Sequence, residues 1–186
     1  MTAWRAQTGV LSRLRRFRSD RGGVAAVEFS LILPVMLAIY LGGVEVGDGF
    51  AIDTRVTLVA RSVTDLTTQY VTIDNQDMST ILGASTQIVA PYASANITVT
   101  VSEVTTDNSG NGTVTWSDSL NGTARAVGSK ITLPTSLKTP KISIILGEVS
   151  YAYTPALGYV MTGTITMSDS FYMMPRLANS VTRSNS

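Results

Sequence analysis

The feature that most constrains this chain is an apolar run, Val24 to Val46, reading VAAVEFSLILPVMLAIYLGGVEV, with no charged residue between Phe29 and Val44. At about 1.5 Å per residue, a helix over this run crosses a hydrocarbon layer of about 30 Å. The segment before it, residues 1–23, carries six arginines (Arg5, Arg13, Arg15, Arg16, Arg18, Arg21) and one acid, Asp20, a balance of +5. The rest of the chain sums to −4, so the net charge of +1 hides a polarised molecule. Basic residues on one flank of an apolar span keep that flank in the cytoplasm. Residue 1 is therefore expected inside and the C-terminus outside.

Three other readings of this start fit less well. A cleaved secretory signal needs a shorter apolar core and a small-residue cleavage site, and Gly42-Gly43 followed by Glu45 is a poor one. A twin-arginine signal at Arg15-Arg16 has the wrong surroundings. An Arg-rich, acid-poor leader also resembles a mitochondrial transit peptide.

Beyond the span, Ile52, Val56, Val59, Val63, Leu66 and Tyr70 are spaced 4, 3, 4, 3, 4, one apolar stripe on a helix. A single helix is expected from about Val24 to about Gln69, with a bend or local melting possible at Gly42, Gly43, Gly47 and Gly49. After a turn at Asp74-Asn75, a second short helix over residues 77–90 ends at Pro91. The period then changes to two. Ile97, Val99 and Val101 alternate with Thr98, Thr100 and Ser102, and a turn at residues 107–112 leads into a return strand at Val114 and Trp116. Residues 117–140 are expected to form loop with a short helix at most. Strands follow at Ile142–Leu146, at Val149–Tyr153 after a break at Gly147, and at Ile165–Phe171. The expected fold class is α+β: the long helix packed on an antiparallel sheet of roughly four strands. The expected domains are a basic cytoplasmic leader (1–23), a transmembrane helix (24–46), a periplasmic α+β domain (47–175) and a frayed, flexible tail (176–186).

Glu28 is the residue that carries chemistry. A carboxylate inside a membrane helix costs a few kcal/mol, less near the interface, and calls for a partner. If the chain is cut after Gly23, Val24 gains a free amine one helical turn from Glu28. The carboxylate can then neutralise that amine, its own or a neighbour's, at low dielectric. Gly23, lacking Cβ, lets a protease grip extended backbone closely.

The stretch Arg21 to Gly47, RGGVAAVEFSLILPVMLAIYLGGVEVG, resembles the N-terminal signature of the TadE-like pilus assembly family, in the Tad branch of the type IV pilin superfamily, including Glu28, Phe29 and Pro34. A second segment, GEVSYAYTP from Gly147 to Pro155, is similar to an aromatic strand near the C-terminus of such proteins. The resemblance implies a pilin-like fold, cleavage by a prepilin peptidase between Gly23 and Val24, and an assembly role for Glu28 and Phe29. It also implies a minor pilin or pseudopilin in the bacterial inner membrane, whose partners are other Tad pilins, the assembly platform and lipid. Major pilins of this branch are very short and place Tyr after the Glu. Phe29 and the large domain depart from that pattern and favour a minor component. The alternative function is a permanently anchored binding or adhesion module that is never processed.

Other signals are weaker. Asp107, Ser109, Asn111, Gly112 and Asp118 fall at positions of a calcium loop, but the last is Asp and the flanks read as strands, so a hairpin turn is the better reading. Three Asn-X-Thr sequons, at Asn96, Asn111 and Asn121, are what a Thr-rich chain yields by chance. No Cys or His is present, and the three lysines, Lys130, Lys138 and Lys141, cluster in one loop. No enzyme, metal or cofactor is expected, and nucleic-acid binding is not expected either, because the basic cluster lies at the cytoplasmic end. Tyr151, Tyr153, Tyr159, Phe171 and Tyr172 are candidates for a contact surface, with about half of them expected in the core by strand alternation.

Overall fold

The computed structural model describes residues 21–155 and 163–184; the expectations for the leader before Arg21 and for Tyr159 lie outside them. The chain divides into two compact units, one up to Val44 and one from Glu45 onward. Helix α1, Arg21–Thr68, contributes to both. It runs unbroken through Pro34 and through all four glycines at residues 42–49, so the melting expected there does not occur. Around Pro34 the lost donor leaves the helix intact, as membrane helices commonly tolerate.

In the second unit α1 buries the stripe read from the sequence. Ile52, Val56, Val59 and Val63 are fully buried, and Leu66 and Tyr70 pack half-buried against the same core. The hydroxyls that join this face bond back to the helix, Thr64 Oγ1 to Ala60 O at 2.6 Å and Thr67 Oγ1 to Val63 O at 2.8 Å, so they enter the core satisfied. A two-residue strand, β1 (Thr72–Ile73), leads to helix α2, Asn75–Val89. Asp74 caps α2, accepting a hydrogen bond from the Asp77 N–H at 2.7 Å. Met78, Ile81, Leu82 and Val89 of α2 join the α1 stripe in one core.

The other wall of that core is a five-stranded sheet of β2 (Ile97–Thr106), β3 (Gly112–Leu120), β4 (Lys130–Ile131), β5 (Ser143–Tyr153) and β6 (Ile165–Met173), in the order β4-β3-β2-β5-β6, every pairing antiparallel. The fold is thus α+β, as the change of period indicated. Ile97, Val99 and Val101 of β2 and Ile145, Val149, Tyr151 and Tyr153 of β5 face the helices. On the opposite face, Val104, Ile144 and Leu146 form a second, smaller core with Leu133 of the segment after β4. Of residues 117–140, expected as loop with a short helix at most, 117–120 extend β3, which corrects that expectation, and the rest hold β4 and one 3-10 turn, Thr135–Leu137.

One strand expectation is corrected, and one expected strand carries a bulge. Gly147 does not end a strand: β5 runs through it for 11 residues. The alternation changes phase there because both faces of the sheet are covered before Gly147 and only the helix face after it. Gly147 is required by packing, since a Cβ at this position would lie 2.1 Å from Thr64 Oγ1 and 3.2 Å from Ala60 O. In β3 the register shifts against β2 between Glu103 and Val104, so Trp116 pairs with Glu103 and Val114 with Val104. A bulge of this kind turns the two residues to different faces.

The tail after Pro175, expected to fray, is corrected as well. Strand β7 (Thr182–Arg183) pairs in parallel with β1. Val181 is fully buried; its carbonyl accepts from Trp116 Nε1 at 2.6 Å and its N–H donates to Glu103 Oε1 at 2.9 Å. The same oxygen of buried Glu103 accepts from Ser143 Oγ at 2.6 Å. Arg183 donates to Asp118 at 2.8 Å and to Asn75 Oδ1 at 2.7 Å, and Arg176 N–H caps the end of α1 at Thr68 O. The composition of the tail is polar, but its backbone supplies what two buried side chains need.

Candidate functional site

Gly23 and Val24 lie in the first turn of α1, and Glu28 follows Val24 by one turn. The first unit presents apolar side chains on every side of the helix: Val24 is 58 % exposed and Phe29 60 %, and Leu31, Ile32, Val35, Met36, Ile39 and Tyr40 are equally uncovered. A helix apolar all round, with none of the described residues packed on it, is suited to lipid or to other helices of the same kind. Among the described residues Glu28 makes no hydrogen bond or ion pair. Among the described residues nothing lies within 4 Å of where a Cβ on Gly23 would sit, so their packing gives no reason for glycine there.

The calcium-loop residues are not brought together. Asp107 closes the β2–β3 hairpin: its Oδ1 accepts from the N–H groups of Ser109 (2.7 Å) and Asn111 (2.9 Å), and its Oδ2 from Asn111 Nδ2 (2.9 Å). Gly110 completes the turn at φ +77°, a conformation that favours glycine. Asp118 stands six residues along β3 from Gly112, about 20 Å at strand rise, and pairs with Arg183. Among the described residues no three acidic side chains converge.

The bonds from Asn111 and Ser109 hold the Asp107 carboxyl below its ordinary value, those of Asn111 foremost. A depressed folded-state pKa stabilises the fold above the unfolded value of 3.8, and that stability is lost as pH falls through the folded pKa. Asp107→Asn is therefore expected to be less stable than the parent at neutral pH, with the gap closing in acid. Parallel denaturant titrations at pH 7 and below pH 3.8 check this.

Of the aromatic candidates, Tyr151 and Tyr153 belong to the core. Burial pushes the Tyr153 phenol up in pKa, with Asp48 and Glu45 adding to the shift. Phe171 is half-buried under the Arg61 guanidinium, 6.0 Å from its ring centroid, and Tyr172 lies half-buried against the second core. Sequence reasoning missed two features. One is the buried Glu103, which carries no motif. The other is an open groove of about 590 Å³ on the outer sheet face, lined by Thr100, Arg125, Glu148, Ser150, Ser168 and Ser170. Arg125 grips both oxygens of Glu148 at 2.6 Å, so this carboxylate is committed to the guanidinium. The Thr and Ser positions alternating with the apolar residues of β2 were the available signal for that hydroxyl-rich face.

One N-terminal apolar helix followed by an α+β domain fits a single-pass membrane protein. Within it, residues 23–65 match the family model of TadE-like protein, the family that the Arg21–Gly47 signature resembles. No curated protein and no solved structure matches the chain.

Proposed function

We propose that this chain is a minor pilin or pseudopilin of a Tad-type pilus or secretion machine. It is inserted in the inner membrane with residue 1 in the cytoplasm, is cut by a prepilin peptidase between Gly23 and Val24, and is assembled through the first part of α1. Its role is structural rather than catalytic. The observation that carries this reading is Glu28, a carboxylate without a partner among the described residues, in a helix segment that is otherwise apolar and uncovered. Cleavage would place a new amine one turn away, and packing beside other pilin helices would place such amines within reach of neighbouring copies of the carboxylate. Gly23 supports the same reading, since among the described residues nothing lies where its side chain would be.

The test is the intact mass and N-terminal sequence of protein extracted from host membranes, beside a Gly23→Ala variant. The expected mature chain starts at Val24 in the parent, and the variant stays uncut. A parent chain that retains its leader would overturn the proposal and leave a permanently anchored external module as the account. Glu28→Gln is expected to be cut normally yet to be missing from sheared pilus fractions.

A further inference from the structure

The two edges of the sheet are finished differently. Along β3 the outer edge is occupied: β4 pairs with Gly112 and Thr113, Val114 N–H donates to Ser129 O, Gly128 N–H donates to Val114 O, and Arg125 N–H bonds Ser117 Oγ. Along β6 the nine residues Ile165–Met173 pair, among the described residues, with β5 alone, in continuous register. Long strand edges template pairing with other chains, and folds blunt them with Pro, Lys, bulges or cover. Strand β6 has no Pro, no Lys and no bulge. Its one charged residue, Asp169, is turned back on its own molecule, accepting from Thr57 Oγ1 at 2.7 Å and from the Ser170 N–H at 2.8 Å. The Ser170 N–H is thus directed to Asp169 and away from β5. By the strand period the N–H of Ser168 points to the same open side.

We infer that the β6 edge is a docking surface for a second copy of this chain, pairing antiparallel with β6 of that copy about a two-fold axis at Ser168. The strand is complementary to itself. Ile165, Met167, Phe171 and Met173 lie on the helix side and Thr166, Ser168 and Ser170 on the outer side, so any two-fold register keeps apolar beside apolar face and hydroxyl beside hydroxyl face. Charge excludes one register. A centre at Asp169 sets two carboxylates opposite each other, which is destabilising. A centre at Ser168 sets Asp169 beside Met167, Ile165 beside Phe171 and Thr166 beside Ser170. Helix α1 supplies a flank. Its side nearest β6, fixed by the Thr57–Asp169 bond and by Arg61 over Phe171, also carries Phe50, 71 % exposed, with Leu58, 50 % exposed, next to it. An added strand with apolar residues on the helix side brings partners to that uncovered surface. The pairing is independent of whether the chain is cut after Gly23.

The chain has no Cys, so in single-cysteine crosslinking of the full-length protein in its membranes the introduced residue is the one thiol this chain offers. With a short bismaleimide, Ser168→Cys is expected to give about tenfold more covalent homodimer than Ser150→Cys on the interior strand, because pairing raises the local thiol concentration. Mixed Thr166→Cys and Ser170→Cys chains should crosslink to each other more than either does alone. Adding Ser168→Pro to that mixture should abolish the product while leaving thermal unfolding little changed, since Pro is tolerated where the N–H faces outward. Equal yields from positions 168 and 150, a product that survives Ser168→Pro, or a Ser168→Cys product containing only some other protein would each overturn the inference.

Discussion

Gly147→Val is expected to destabilise the second unit by about 3 kcal/mol, the upper part of the usual range for overpacking. The sheet and α1 approach so closely here that even a methyl group would lie 2.1 Å from Thr64 Oγ1 and 3.2 Å from the Ala60 carbonyl. Neither neighbour yields readily. The Thr64 hydroxyl is buried and bonded to Ala60 O, and Ala60 O is helix backbone. To accept a side chain at residue 147, α1 must lift off the sheet and loosen the Ile52–Val63 stripe. Against a total stability of about 5–15 kcal/mol for a typical domain, the change is a large fraction. Denaturant titration of the full chain in detergent measures it. The cause is assigned by a second pair. Gly147→Ala should cost about 2 kcal/mol alone and markedly less on a Thr64→Ala background, because the nearest obstacle is gone. Equal costs on both backgrounds would show that the Thr64 contact is not what excludes a side chain.

Trp116→Ala should cost about 3–5 kcal/mol, the range for truncating a large buried aromatic residue. The more informative variant is Trp116→Phe, which keeps most of the apolar contact and removes the Nε1 donor. The Val181 carbonyl then stays buried without that partner, a loss of about 1–3 kcal/mol. Val181 is held from both sides, by Trp116 at its carbonyl and by Glu103 at its N–H, so its neighbours should respond together. Hydrogen exchange at Thr182 and Ser184, which donate to Val71 O and Ile73 O, is expected to quicken in Trp116→Phe and in Glu103→Ala. Unchanged protection in both variants would mean that β7 is retained by its pairing with β1 and by the Arg183–Asp118 ion pair instead.

Much of this architecture was legible in the residues because the signals are local. The 4, 3, 4, 3, 4 spacing from Ile52 to Tyr70 requires one buried helix face, and that face is the one covered. Asp74 and Pro91 bracket α2. The Thr-Val alternation of β2 separates a buried from a hydroxyl-bearing face within ten residues. The readings that failed depend on what lies opposite a residue. The phase change at Gly147 looked like a break because nothing in β5 itself says that residues after β4 cover its other face. The tail looked frayed because its Ser, Asn and Arg content conceals one apolar residue and two backbone groups whose partners lie on β2 and β3. Tyr151 and Tyr153 carry the same aromatic signal as Tyr172, and only the sheet decides which face each one takes.

By itself, then, the sequence determined the elements that hydropathy dictates: an apolar span flanked by arginines, a stripe that continues its helix, an alternating sheet, and a lone carboxylate at Glu28. Those follow from burial along one element at a time, at a fixed period. Only the tertiary structure decided which glycine is compelled by close approach, which acid is buried and why, where the C-terminal strand is held, and which edge of the sheet is left unpaired among the described residues. Each of those depends on atoms from elements far apart in the chain, and periodicity along one segment carries no record of what another segment brings to it.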